Sequence, residues 1–198
     1  KGLRLGITKP GAATDVYMRY YLKRAGIDSE RDVQIVTVGG GAALLAAMKT
    51  KQIDAFHLSP PTPYQAEQTG LGQVVIKASA GDVPELTNFL YTGIAVMKEY
   101  GDKNGDVLKR WTKAVNRANL LIQKDEAASI KYLQKYFPRM DPAVMTHAMR
   151  EIIPALSPNG VMNEQMVQKH LDFLMDTKQI DSKPSTNEGV LWTNAYVK

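Results

Sequence analysis

The chain has 198 residues, 44% of them hydrophobic and 23% charged, with a formal net charge of +5 and a sequence pI near 9.3. That is the balance of a globular chain long enough for one ordinary domain or two small lobes, and no apolar run reaches the roughly 18 residues a membrane span needs. The absence of cysteine excludes disulfides, thiolate nucleophiles and Cys-based zinc or redox sites, and the scattered Lys and Arg, with no basic stripe interleaved with aromatics, argue against nucleic-acid binding.

The first hundred residues alternate strand and helix. Leu3–Ile7 has apolar residues at alternate positions and reads as a strand, followed by a Pro/Gly loop over Thr8–Ala13. Thr14 is the expected N-cap of a helix to about Ala25, with Gly26 as its stop. Val33–Val38 is β-branched and reads as a second strand, broken by Gly39-Gly40-Gly41 before a compact helix over Ala42–Thr50. Ile53–Leu58 is a third strand, ended by Ser59-Pro60-Pro61, and a helix containing Tyr64–Gln68 closes at Gly70. Two more apolar, β-rich runs, Gln73–Ala78 and Gly93–Met97, read as further strands. Strands and helices at this spacing give βαβ units and a mostly parallel sheet, so the fold class is α/β.

After Tyr100 the texture becomes helical. Asp106 is expected to cap a helix with Val107, Trp111, Val115, Ala118 and Ile122 on one stripe, and Asp125 opens a second that ends near Phe137-Pro138. Asp141-Pro142 is an N-cap followed by proline at the first helical position, for a helix to about Ile153. Asn163 opens another, with Val167, His170 or Leu171, and Leu174 on one face. Trp111 and Phe173 read as core residues, and the tail over 188–198, which contains Trp192 and Tyr196, as a segment that docks in extended form.

Ligands of open parallel sheets bind beyond the carboxyl ends of the strands. The loop Thr8-Lys9-Pro10-Gly11-Ala12-Ala13-Thr14 enters a helix there, so its amides and the positive helix end suit an anion, with Lys9 adding a full charge; the alternative is a turn built for geometry alone. Gly40 lies in a glycine run that fits neither GxxxxGK[ST] nor GxGxxG, and either lets a backbone approach a ligand or makes a sharp turn. His57 and Ser59 share one strand face, opposite Phe56 and Leu58; a lone strand His is more often a packing residue, and Ser59 at the strand end is the better ligand contact. No GxSxG, HExxH or paired strand-end carboxylates occur, and His147 and His170 have no acidic companions at metal-ligand spacing. The residues thus support no catalytic role, no metal and no cofactor.

The segments "GLRLGITKPGAATDVYMRYYLKRAGID", "VQIVTVGGGAALLAAMKTKQIDAFHLSPP" and "GIAVMKEY" together resemble the NMT1/THI5-like and taurine/sulfonate/nitrate group of ABC-transporter solute-binding proteins. The group's "kGkkiGv" strand, its Gly/Ser loop with a "TD" helix start, and its "GG-x-x-x-x-x-A-x-x-x-G-x-x-DA" segment are matched from Lys1 to Pro61, and later helices agree in order and length. The resemblance implies a type II periplasmic-binding-protein-like fold, with residues 1–100 forming an α/β ligand-binding lobe. Residues 101–198 are then a helical return segment of the other lobe, whose first strands lie outside this chain, and its helices are expected to expose apolar faces.

The resemblance further implies a periplasmic or extracytoplasmic protein, secreted on a signal segment not present in this chain. It would capture a small polar or anionic ligand by hinge closure and deliver it to an ABC permease in the membrane. Candidate ligands are sulfonates, nitrate, pyrimidine precursors and carboxylates, held by Thr8, Lys9, Gly11, Ala12, Ala13, Thr14, Gly40, His57 and Ser59. Ala12 and Ala13 stand where the family loop often carries serines, which removes two hydroxyl donors. The competing implications are an enzyme on the same fold, of the pyrimidine or menaquinone pathway, and a LysR-like effector-binding domain. The pyrimidine synthases carry a cysteine-rich motif and this chain has no cysteine; the LysR type needs a helix-turn-helix, and none is recognisable here.

Overall fold

The computed structural model describes residues 2–197. Two compact units emerge: Lys1–Val75 with Asp141–Ala148, and Ile76–Met140 with Met149–Lys198.

The first unit is built on a three-stranded parallel sheet of order β2-β1-β3, with β1 at Leu3–Ile7, β2 at Val33–Thr37 and β3 at Ala55–Phe56. β1 pairs with β2 from Leu3 opposite Val33 to Ile7 opposite Thr37, and with β3 at Leu5–Ala55 and Gly6–Phe56. Alternation along the strands feeds two cores. Leu5 and Ile7 pack with Met18 and Leu22 of α1 (Ala13–Arg24), joined by Val33, Ile35 and Ala55. On the other face, Leu44 and Ala47 of α2 (Gly41–Lys49) pack with Ile53, Val36, Val38, Phe56 and Leu58. Each fully buried aliphatic side chain in these layers is worth about 1.5–3 kcal/mol. Gly6 lets α2 pack close on β1: a Cβ there would lie 2.7 Å from Ile53 Cδ1 and 2.8 Å from Leu44 Cδ2, and those side chains would have to shift.

The α1 helix ends as its sequence indicates, with Gly26 left-handed and the Ile27 amide bonding the Leu22 carbonyl at 2.9 Å. The same motif closes α2 at Lys51 and α3 (Thr62–Gln68) at Gly70. The first half of α7 (Pro142–Ile152) belongs to this unit: Val144 and Met145 are buried, and His147 stacks on Tyr64 with centroids 4.1 Å apart.

The second unit is helical. It holds α4 (Lys98–Lys103), α5 (Gly105–Lys124), α6 (Glu126–Tyr136), the end of α7 and α8 (Glu164–Asp176). Asp125 caps α6 by accepting the Ala128 amide, and Asn163 caps α8 by accepting that of Met166, both at 2.9 Å. Arg150 forks onto Glu126 at 2.8 and 2.7 Å. Asn194 clamps the tail to both backbone groups of Met162, the Trp192 indole donates to the Thr186 carbonyl, and the Thr112 hydroxyl donates to that of Tyr196.

Four expectations are corrected. The runs Gln73–Ala78 and Gly93–Met97 are not strands: the Val74 and Lys77 amides are taken by the carboxylates of Glu67 and Asp82, and 93–97 is exposed, with no strand beside it among the described residues. The third strand is shorter than 53–58. Asn104, not Asp106, precedes α5, and Asp106 lies in its first turn. Trp111 is not core but 47% exposed, and Val107 on the same stripe is exposed too, while Phe173 is buried as expected.

Candidate functional site

The α1 crossover carries the chain from β1 to β2 on one side, and the α2 crossover carries it to β3 on the other. The two crossovers part between β1 and β3, and such a switch point opens a crevice at the carboxyl edge of a parallel sheet. The loops beginning at Thr8 and His57 flank it. Three helices start on this edge: α1 after Ala12, α2 after Gly40 and α3 after Pro61. A Cβ on Gly41 would collide with the Thr62 hydroxyl, so the α2 and α3 starts are in direct contact.

The first-turn amides of Ala13 and Thr14, of Gly41, Ala42 and Ala43, and of Thr62 have no partner among the described residues. Helix starts leave such donors by construction, and they carry the positive end of the helix dipole. The arrangement therefore favours a small anion or a strong acceptor group.

The β1–α1 loop has its own internal order. Thr14 is buried, and it is not the N-cap: Ala12 holds that position without a side-chain bond. The Thr14 hydroxyl instead accepts the Thr8 amide at 3.0 Å and lies 2.8 Å from the Thr8 hydroxyl. A hydroxyl can bond back to a loop amide as well as forward into a helix, and the turn at Gly11, with φ +71°, brings Thr8 within reach. The Gly11 amide donates to Asp15 Oδ2 at 2.9 Å. Lys9, Gly11 and Ala13 are exposed, and Ala12 is half-buried.

Gly40 is exposed as the N-cap of α2, and Ser59 is exposed just past β3. His57 turns toward α1, stacking on Tyr17 with centroids 5.6 Å apart and meeting Tyr21 edge-on at the same distance. Burial lowers its pKa from 6.5 to about 4, so the imidazole is neutral at physiological pH. The structure thus brings the loop residues, Gly40 and Ser59 to one sheet edge, while His57 occupies an aromatic pocket beside it.

Sequence reasoning missed Asp15, Arg19, Thr62 and the Tyr17–Tyr21 pair. The available signal was an Asp in the first turn of α1 with an Arg four residues on, a spacing that places both on one helix face. Among the described residues no group of His, Asp and Glu is arranged to hold a metal ion, and no helix is long and apolar enough to cross a membrane.

The profile of the NMT1-like family matches residues 1–133. The chain belongs to the NMT1-like family. A nitrate/nitrite binding protein of Synechococcus elongatus is 28% identical over 142 residues, which is 69% of this chain and 31% of that protein. The corresponding nitrate/nitrite binding protein of a Nostoc species is 35% identical over 72 residues, 36% of this chain and 16% of that one. A solved structure from Bordetella bronchiseptica is 26% identical, with a TM-score of 0.72 covering 100% of this chain and 63% of that one. The chain therefore spans about a third or less of the two binding proteins and under two thirds of the solved structure. The parallel sheet with its many helices fits the type II periplasmic-binding-protein-like fold to which the sequence pointed.

Proposed function

We propose that this chain forms the ligand-capturing part of an extracytoplasmic solute-binding protein of an ABC importer, taking a small anionic or polar solute and performing no chemistry on it. The observation that carries the reading is the convergence of three helix starts, with their unpartnered amides, at the β1/β3 switch point. The ligand is held by the Ala13 and Thr14 amides, the Thr8 hydroxyl, the amides beyond Gly40 and Ser59, with Lys9 drawing anions to the edge. It is enclosed by hinge closure of a second lobe, whose closed population the ligand stabilises through its higher affinity for that form, and the closed form is read by a membrane permease. Nitrate is the first solute to test, because two relatives are nitrate/nitrite binding proteins.

Native mass spectrometry of the purified protein, followed by calorimetric titration with nitrate, taurine and small carboxylates, tests the reading. The double variant Thr14→Ala with Ser59→Ala is expected to weaken binding of the cognate anion about tenfold while remaining folded, on the scale of one or two lost hydrogen bonds. Unchanged affinity in that variant overturns the site, and no binding of any of these anions overturns the ligand class.

A further inference from the structure

The loop entering α1 already holds an anion of its own. Asp15, 6% exposed, sits in the first turn of α1 with one carboxylate oxygen accepting the Gly11 amide at 2.9 Å. Its other oxygen accepts from Arg19 Nε at 2.6 Å, one helical turn on. Arg19 continues outward through Nη1 to the Ser29 hydroxyl at 3.1 Å and to the Glu30 carboxylate, in the connection between α1 and β2. That connection is itself braced, because the Asp28 side chain accepts the amides of Glu30 and Arg31. One chain of charge-assisted bonds therefore runs from the tip of the ligand-facing loop to a fixed turn at the opposite end of α1.

Two physical consequences follow. Gly11 is left-handed and exposed, so without a partner its peptide would sample many orientations; the carboxylate fixes it, and with it the path from Lys9 to Ala13. A carboxylate at a ligand-facing helix start would also repel an arriving anion, and Arg19 Nε at 2.6 Å offsets that charge locally while its Nη1 turns away to Glu30. We infer that Asp15 and Arg19 are a positioning pair: Asp15 holds the Thr8–Thr14 loop in its binding shape, and Arg19 neutralises Asp15 so that an anion is accepted beside it. The inference rests on the proposed function for its ligand and on the loop geometry alone for its positioning part.

The test separates the two. Amide hydrogen exchange by NMR on the whole chain reads Gly11, with Leu5 and Ile35 in the sheet reporting global opening; calorimetry reads nitrate affinity. Asp15→Ala is expected to speed Gly11 exchange by roughly tenfold or more without moving the sheet amides, and to weaken nitrate by a similar factor, the scale of one charge-assisted bond. Asp15→Asn, which keeps a carbonyl acceptor, restores part of both. Arg19→Met leaves the aspartate charge uncompensated and weakens nitrate more than Asp15→Asn does, and combining the two substitutions regains affinity relative to Arg19→Met alone.

A merely structural pair would give no such regain. Unchanged Gly11 exchange in Asp15→Ala, or Arg19→Met no weaker than the double variant, overturns the inference. If the unaltered protein does not bind nitrate while Gly11 responds as expected, the nitrate reading fails, the charge-balancing role falls with it, and the loop-positioning role stands.

Discussion

The two units solve the problem of burying apolar surface differently. In the first, both faces of a parallel sheet are covered by its own crossover helices, and Ile7, Leu44 and Ile53 are almost fully enclosed. In the second, helices with clear apolar stripes leave them open: Val107, Trp111 and Leu121 on α5 and Tyr132 and Tyr136 on α6 are exposed, and so is the extended run at Ile94, Val96 and Met97. Among the described residues, only Leu3, Ile27 and Val75 of the first unit are large hydrophobics left in solvent. A sheet with crossovers carries its cover in the same stretch of sequence, whereas an amphipathic helix states only that something must cover it.

Substitutions can break or sharpen this contrast. The largest effect is expected from Leu44→Ala, which empties a fully enclosed position and should cost about 2–5 kcal/mol in urea denaturation; a loss below about 1 kcal/mol would show that the first unit is loosely packed. Next is acid. His57 has its ordinary pKa of 6.5 when unfolded and about 4 when folded, so the unfolded chain binds the proton first as pH falls. The stability this gives is fully present above pH 6.5 and lost progressively down to pH 4, up to about 3 kcal/mol. His57→Leu should remove that portion of the slope, visible as a difference between the two proteins' denaturation midpoints across pH 7 to 4; parallel curves would refute it.

Smaller still is Lys51→Gly. Lys51 closes α2 at φ 56°, in the left-handed region that glycine adopts without strain, so the change should raise stability by up to about 1 kcal/mol in thermal unfolding. A loss would mean that the Lys51 side chain makes a contact outweighing its backbone strain. The smallest is Trp111→Ser in the second unit, expected within about 0.5 kcal/mol because the indole is already half in water. A large loss there would show that the stripe is covered in solution.

The same contrast separates what was legible in the sequence from what was not. Strand β1 was readable from its alternation and β2 from its β-branched run, because both answer to a core only a few dozen residues away, and the Asp125, Asp141 and Asn163 helix starts because a cap acts within three residues. Gln73–Ala78 looked like a strand, but strand propensity needs a neighbouring backbone, and nearby carboxylates took the amides first. At the site, the sheet edge and its loop were legible from topology, since ligand crevices follow strand ends. The inner wiring was not: Thr14 has the composition of an N-cap, and only the turn at Gly11 shows that its hydroxyl serves Thr8. Trp111 fell on a regular apolar stripe, and periodicity gives a direction without saying whether that direction holds protein or water.

The central strand of the sheet is the first of the three in the chain. Arg4 donates its amide and its guanidinium to Asp54, fifty residues later, just ahead of β3. A ribosome extends a chain by about 5–20 residues per second, so β1 leaves the tunnel roughly 3–10 seconds before its far-side neighbour exists. For that interval Leu5 and Ile7 have no finished sheet to enter, and their apolar side chains are open to a holding chaperone.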